Sequence, residues 1–169
     1  DLLSQNTPLP TLKEVERYLL EINNIPIAIS GRRHLEEKLK DSKKWNARAR
    51  VELFEKDTFD EDALHNLDDQ RSSIFGSKLK DDVHARHIRF QWIKNTREIL
   101  HSKQPMDDAK KSLIKQAIEQ HTNLSELVLC YSGDRTIEST VSSTARECTD
   151  ILVKYDYAKI FEEDRPRLR

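Results

Sequence analysis

The stretch that decides the fold runs from Trp45 to Asp62, WNARARVELFEKDTFDED, and a worn copy of it, WIKNTREILHSKQPMDDA, runs from Trp92 to Ala109, 47 residues further on. Laying Trp45 on Trp92 brings Arg50 onto Arg97, Leu53 onto Leu100 and Phe59 onto Met106. It also brings Asp60 and Glu61 onto Asp107 and Asp108. The same step back from Thr58 reaches Thr11, and from Ser77 it reaches Ser30. These positions have helical roles. Thr11 with Glu14, and Thr58 with Glu61, each have the T-x-x-E form of a capping box, in which two orphan N–H groups are satisfied reciprocally. Pro105 suits a first helical position, and the aspartates after it suit the positive end of a helix. Short helices are expected to start near 11, 58 and 105, with Ser30, Ser77 and Asp134 as N-caps of the longer helices that follow.

The longer helices carry apolar stripes with 4 and 3 spacing. One runs through Leu79, Val83, Arg86, Phe90, Ile93, Arg97 and Leu100, and another through Ile137, Val141, Thr144, Cys148, Ile151 and Tyr155. A third, with a more polar middle, runs through Leu35, Leu39, Ser42, Asn46, Ala49 and Leu53. Trp45 and Trp92 lie beside these stripes and, with Leu53, Leu100, Phe90 and Ile93, are the expected core anchors. One helical pair cannot bury its own stripe, so neighbours must stack. The expected fold is all-α: three helical hairpins at about 11–55, 58–102 and 105–157, in one helical domain over 1–169. They form an antiparallel bundle or a short array. In the first connection, NNIPIAISG, Pro26 pushes Ile25 towards extended geometry, and Ile25, Ile27 and Ile29 are expected to form an apolar plug against the hairpin.

Composition agrees. The chain is 36% hydrophobic and 35% charged, with only three Gly and five Pro to punctuate it, which favours long charged helices over strands and turns. A net charge of −1 excludes a whole-chain polyanion binder. The charge is uneven, however. From Ser30 to Arg50 eight basic residues, Arg32, Arg33, Lys40, Lys43 and Lys44 among them, stand against three acidic ones. From Glu55 to Gln70 seven acidic residues, including Asp60, Glu61, Asp62, Asp68 and Asp69, stand against one basic residue. These two runs are the candidate interaction surfaces, and the acidic segment is expected to neutralise the basic helix. Two cysteines are too few for a disulfide framework or a four-cysteine zinc site, and Cys148 reads as a buried thiol in a reducing compartment. There is no long apolar run and no signal-peptide pattern, so no membrane contact is expected. A chain that opens on Asp1 reads as a piece of a longer protein.

No catalytic, cofactor or metal constellation is assembled. The three glycines are isolated and cannot cradle a phosphate. His34-Leu35-Glu36 has the H-x-E form of an iron ligand pair but sits on an expected helix. Asp81, His84 and His87 recur at three-residue spacing on one helix face, where solvated side chains are the plainer reading.

The segments LPTLKEVERYLLEINNIPIAISGRRHLEEKLKDSKKWNARAR and RFQWIKNTREILHSKQPMDDAKKSLIKQA resemble the helical PLU region that follows the JmjC domain and its zinc finger in JARID/Lid-type histone demethylases. The shared pattern is Leu12, Val15 and Leu19, then Ile25-Pro26, then a helix leading to Trp45 and Ala49. It recurs as Trp92, Arg97, Leu100, Pro105 and Leu113, and it covers most of residues 8–120. Insertions such as DDQRSSIFGSKLKDD point to a divergent, fungal-type member. The resemblance implies a nuclear chromatin regulator whose iron and 2-oxoglutarate ligands lie in a JmjC domain that nothing in this sequence matches. It implies a docking platform for another subunit of a chromatin complex, a PHD-finger protein or a histone deacetylase subunit. The alternatives are nucleic-acid binding through the basic helix 32–50, and a spectrin-like scaffold unrelated to chromatin.

Overall fold

The structure is a computed structural model that describes residues 10–25, 31–56, 60–127 and 135–164. Six α-helices follow one another: α1 (Leu12–Asn23), α2 (Arg32–Arg50), α3 (Glu61–Asp69), α4 (Lys78–His101), α5 (Asp108–Glu126) and α6 (Arg135–Asp164). A π-helical turn, Val51–Glu55, extends α2, and a 3₁₀ turn, Gln70–Ser73, extends α3. No strand is present among the described residues, so the all-α expectation holds. The chain divides into two compact units, Asp1–His87 and Ile88–Arg169.

The helix starts follow local capping chemistry. At α1 the capping box forms as its sequence requires: Glu14 N–H donates to Thr11 Oγ1 at 3.4 Å, and Glu14 Oε2 accepts from Thr11 N–H at 2.8 Å. The third helix starts two residues later than expected. Asp60, not Thr58, caps α3, its Oδ1 accepting from Ala63 N–H at 3.1 Å, which places Glu61 at the first helical position. Thr58 itself lies outside the described residues. Asp107 does the same for α5, accepting from Lys110 N–H at 2.8 Å, so Pro105 precedes the helix rather than opening it. A charged carboxylate outbids a proline ring here because it accepts an orphan N–H and meets the helix dipole together. Ser77 does cap α4, accepting from Leu79 N–H at 3.2 Å. Gly31, with φ +86°, precedes α2; this left-handed backbone suits glycine, and Ser30, like Asp134, lies outside the described residues. The apolar plug is corrected at its first residue: Ile25 is 47% exposed, and Ile27 and Ile29 fall outside the described residues.

In the first unit, Trp45, Ala49 and Leu53 of α2 and its extension pack on Leu64 and Leu67 of α3 and on Leu79 and Val83 of α4. Val15 and Leu19 of α1 close around Phe75, with Leu35 and Leu39 alongside. The polar middle of the α2 stripe serves the loop before α4: Ser42 Oγ accepts from Phe75 N–H at 3.1 Å, and Asn46 Oδ1 accepts from Ser77 Oγ at 2.9 Å. In the second unit, Trp92 and Ile93 pack with Leu124, Ile137 and Val141, and half-buried Phe90 flanks them. Leu100, Ile114 and Cys148 form a further cluster. The α6 stripe is buried through Ile137, Val141, Thr144 and Cys148. In α4, Arg97 is exposed and Thr96 takes its place inside.

Candidate docking surfaces

The two matched tryptophans make matched contacts. Trp45 Nε1–H donates to the Leu67 carbonyl at 2.9 Å, and Trp92 Nε1–H donates to the Ala117 carbonyl at 2.9 Å. Each indole is buried and its single donor satisfied on the helix that follows, so both anchor helix pairs rather than wait for a ligand.

Basic side chains on α2 find partners close by. Arg32 pairs with Glu36 at 2.8 Å and also bonds Asn23; Arg33 pairs with Glu37 at 3.3 Å; Lys43 pairs with Glu16 of α1 at 2.6 Å. Lys40 and Lys44 are exposed. Among the described residues these neutralising partners come from α2 itself and from α1, one helical turn or one hairpin away. Exposed pairs of this kind contribute about 0–1 kcal/mol each.

The acidic run splits by role. Asp60 is a cap, Glu61 is half-buried, and Asp62 and Asp69 are exposed, Asp69 beside His65 at 3.3 Å. Asp68 points inward instead. Its carboxylate accepts from His87 Nδ1–H at 2.9 Å and from His84 Nδ1–H at 3.1 Å, with Arg71 at 3.4 Å. A carboxylate only accepts, so both rings present the Nδ1–H tautomer to it. Burial pushes the Asp68 carboxyl up, but the hydrogen bonds from His87 and His84 and the nearby Arg71 more than reverse this and hold it below the ordinary carboxylate range. The three-residue spacing of His84 and His87 is thereby explained, while Asp81, the third member of that pattern, is exposed and takes no part. Among the described residues no group of three or more His, Cys, Asp or Glu is arranged to hold a metal ion.

Buried cations hold helix ends. Lys110 Nζ donates to the carbonyls of Leu100, Ser102 and Gln104 at 3.1–3.4 Å, closing the C-terminus of α4. Arg89 donates to the carbonyls of Leu124 and Leu127 at 3.2 and 2.8 Å, closing α5, and pairs with Glu138 at 2.7 Å. Arg86 reaches the Leu53 carbonyl in the π-turn at 3.5 Å. Cys148 is sealed in the core, where burial and then Glu147 push its thiol up to about 11, so it is not a nucleophile.

Each unit carries a concavity among its described residues. In the second unit a cleft of about 290 Å³ is bordered by the carboxamides of Gln91, Asn95, Gln120 and Asn123. In the first unit a groove of about 410 Å³ lies between the end of α2, its π-turn and α3. Ala47, Val51, Ala63 and Leu67 give it apolar walls, and Arg48, Glu52 and Lys56 line the rest. The π-turn makes this shape. Its i→i−5 bond, Lys56 N–H to the Val51 carbonyl at 3.2 Å, turns Glu52 and Leu53 inward together and leaves Val51 and Phe54 40% and 47% exposed. The sequence held a clue: Glu52 stands seven residues after Trp45 and three after Ala49, on the apolar face of α2. No described helix is long and apolar enough to cross a membrane. No protein-family model, curated protein or solved structure matches the chain.

Proposed function

We propose that this chain is a non-enzymatic helical docking module of a nuclear chromatin regulator related to JmjC histone demethylases. It binds another protein subunit of a chromatin-modifying complex, a PHD-finger protein or a histone deacetylase subunit. The observation that carries docking is the apolar groove walled in part by exposed Val51, with exposed Phe54 on the same π-turn, since concave apolar surface with a polar border is what partner side chains fill. The chromatin assignment rests on the PLU-like pattern of residues 8–120. The test is capture from nuclease-treated nuclear extract with the tagged chain and with a Val51→Glu, Phe54→Glu double variant. Docking at the groove requires that one chromatin-complex subunit be recovered by the parent chain and lost with the double variant, while circular dichroism is unchanged. Equal recovery by both sinks it. A second reading, phosphate binding along α2, draws on exposed Arg33, Lys40, Lys44, Arg48 and Arg50. It requires affinity that falls steeply with salt.

A further inference from the structure

Glu52 is an anomaly within the groove. Its side chain is only 6% exposed. Lys56 donates to Oε1, but Oε2, equally sealed from solvent, meets no hydrogen-bond partner among the described residues. A buried carboxylate oxygen left without a donor is costly and calls for an occupant that supplies one. The π-turn that carries Glu52 is itself an irregularity of the kind that marks functional positions. The walls are mostly apolar, which excludes a fully hydrated ligand. Lys56 already pairs with the carboxylate and Arg48 lines the same groove, so a further cation would lose its hydration against apolar walls without a charge left to balance it. What fits is an uncharged apolar body with one donating tip.

We infer that the groove between the π-turn and α3 takes a tyrosine side chain of a partner protein, its ring against Ala47, Val51, Ala63 and Leu67 and its phenol O–H donating to Glu52 Oε2. The inference rests on the docking reading and names its occupant. Lys56, whose side chain is 43% exposed, is the group that moves to admit the phenol. Tyrosine is a residue that anchors protein interfaces because it combines large apolar area with a polar tip at little rotamer cost.

The test is an NMR titration of the whole isotope-labelled chain with p-cresol and, separately, toluene. The two probes share the ring and methyl group, and only p-cresol carries the donor. The expected result is that p-cresol shifts the Ala47, Val51 and Ala63 signals at about tenfold lower concentration than toluene, the size of one hydrogen bond to a charged acceptor. Glu52→Leu should bring the two probes together. Ala63→Leu, which fills the groove from α3 and leaves Glu52 intact, should abolish both sets of shifts, and it keeps the test decisive if the Glu52 variant does not fold. Equal response to both probes in the parent chain overturns the tyrosine assignment, as does a p-cresol preference that survives Glu52→Leu, or shifts confined to the carboxamide cleft. The two failures separate cleanly. Loss of capture in the Val51, Phe54 variant with equal probe response leaves docking standing and removes tyrosine; a p-cresol preference with unchanged capture shows a phenol site but removes docking at the groove, and the partner's tyrosine with it.

Discussion

At the scale of single residues, the informative positions are charges that fall on apolar stripes. Lys110 precedes Ile114 by four and Ala117 by seven, and it is 7% exposed because it replaces the glycine that would otherwise let α4 end. Lys110→Met keeps the stem but orphans three carbonyls, and should cost about 1–3 kcal/mol in urea unfolding of the second unit. Asp68 makes a pH prediction. Its carboxyl is held below the ordinary range in the folded chain, so its contribution is present above the unfolded carboxylate value and is lost as pH falls through the depressed folded one. Asp68→Asn should therefore be less stable than the parent near neutrality, by about 1–2 kcal/mol for a hydrogen bond to a charged acceptor, and the gap should close in strongly acidic solution. Unfolding titrations across that range measure it. The sequence reading put Asp68 in a candidate interaction surface and gave Lys110 no role, because one helix's pattern does not say which carbonyls or imidazoles a neighbouring element will bring.

At the scale of elements, the tryptophan pair shows what a sequence repeat can and cannot fix. Trp45 and Trp92 were legible as anchors, and their burial and matching carbonyl contacts follow from having one donor and a large ring. The caps were less legible. Thr58 and Pro105 fit helix-start patterns, yet Asp60 and Asp107 stand two residues on in each case and bind the orphan N–H groups more strongly. Capping is a competition among neighbours, settled by energies smaller than the pattern resolves. The π-turn at Val51–Glu55 had no signal beyond the misplaced Glu52. Trp45→Phe and Trp92→Phe should each lose about 1–2 kcal/mol, leaving a buried carbonyl without its donor. Differential scanning calorimetry of the two single variants checks this, and a loss in only one of them would show that the matched contacts are not equivalent.

At the scale of the whole molecule, the hydrophobic periodicity gave the all-α class and the α6 stripe, both of which depend on local spacing. The candidate groove depends on two separated segments, 47–56 and 63–67, and on a backbone irregularity, so no periodicity exposes it. The helices that pack most closely are chain neighbours, α1 with α2 and α5 with α6. Such local topology lowers the entropy of closing each contact. The main refolding phase, followed by stopped-flow circular dichroism, should finish within about 10 ms; a main phase of seconds would mean that long-range pairing limits the rate. Lys110 also gives the molecule a chemical clock. An amine whose protons are all committed to carbonyls and whose nitrogen is enclosed cannot attack an acylating reagent until α4 and α5 part. Its rate of labelling in the native chain, compared with exposed Lys103 and Lys115, therefore reads out how often that corner breathes.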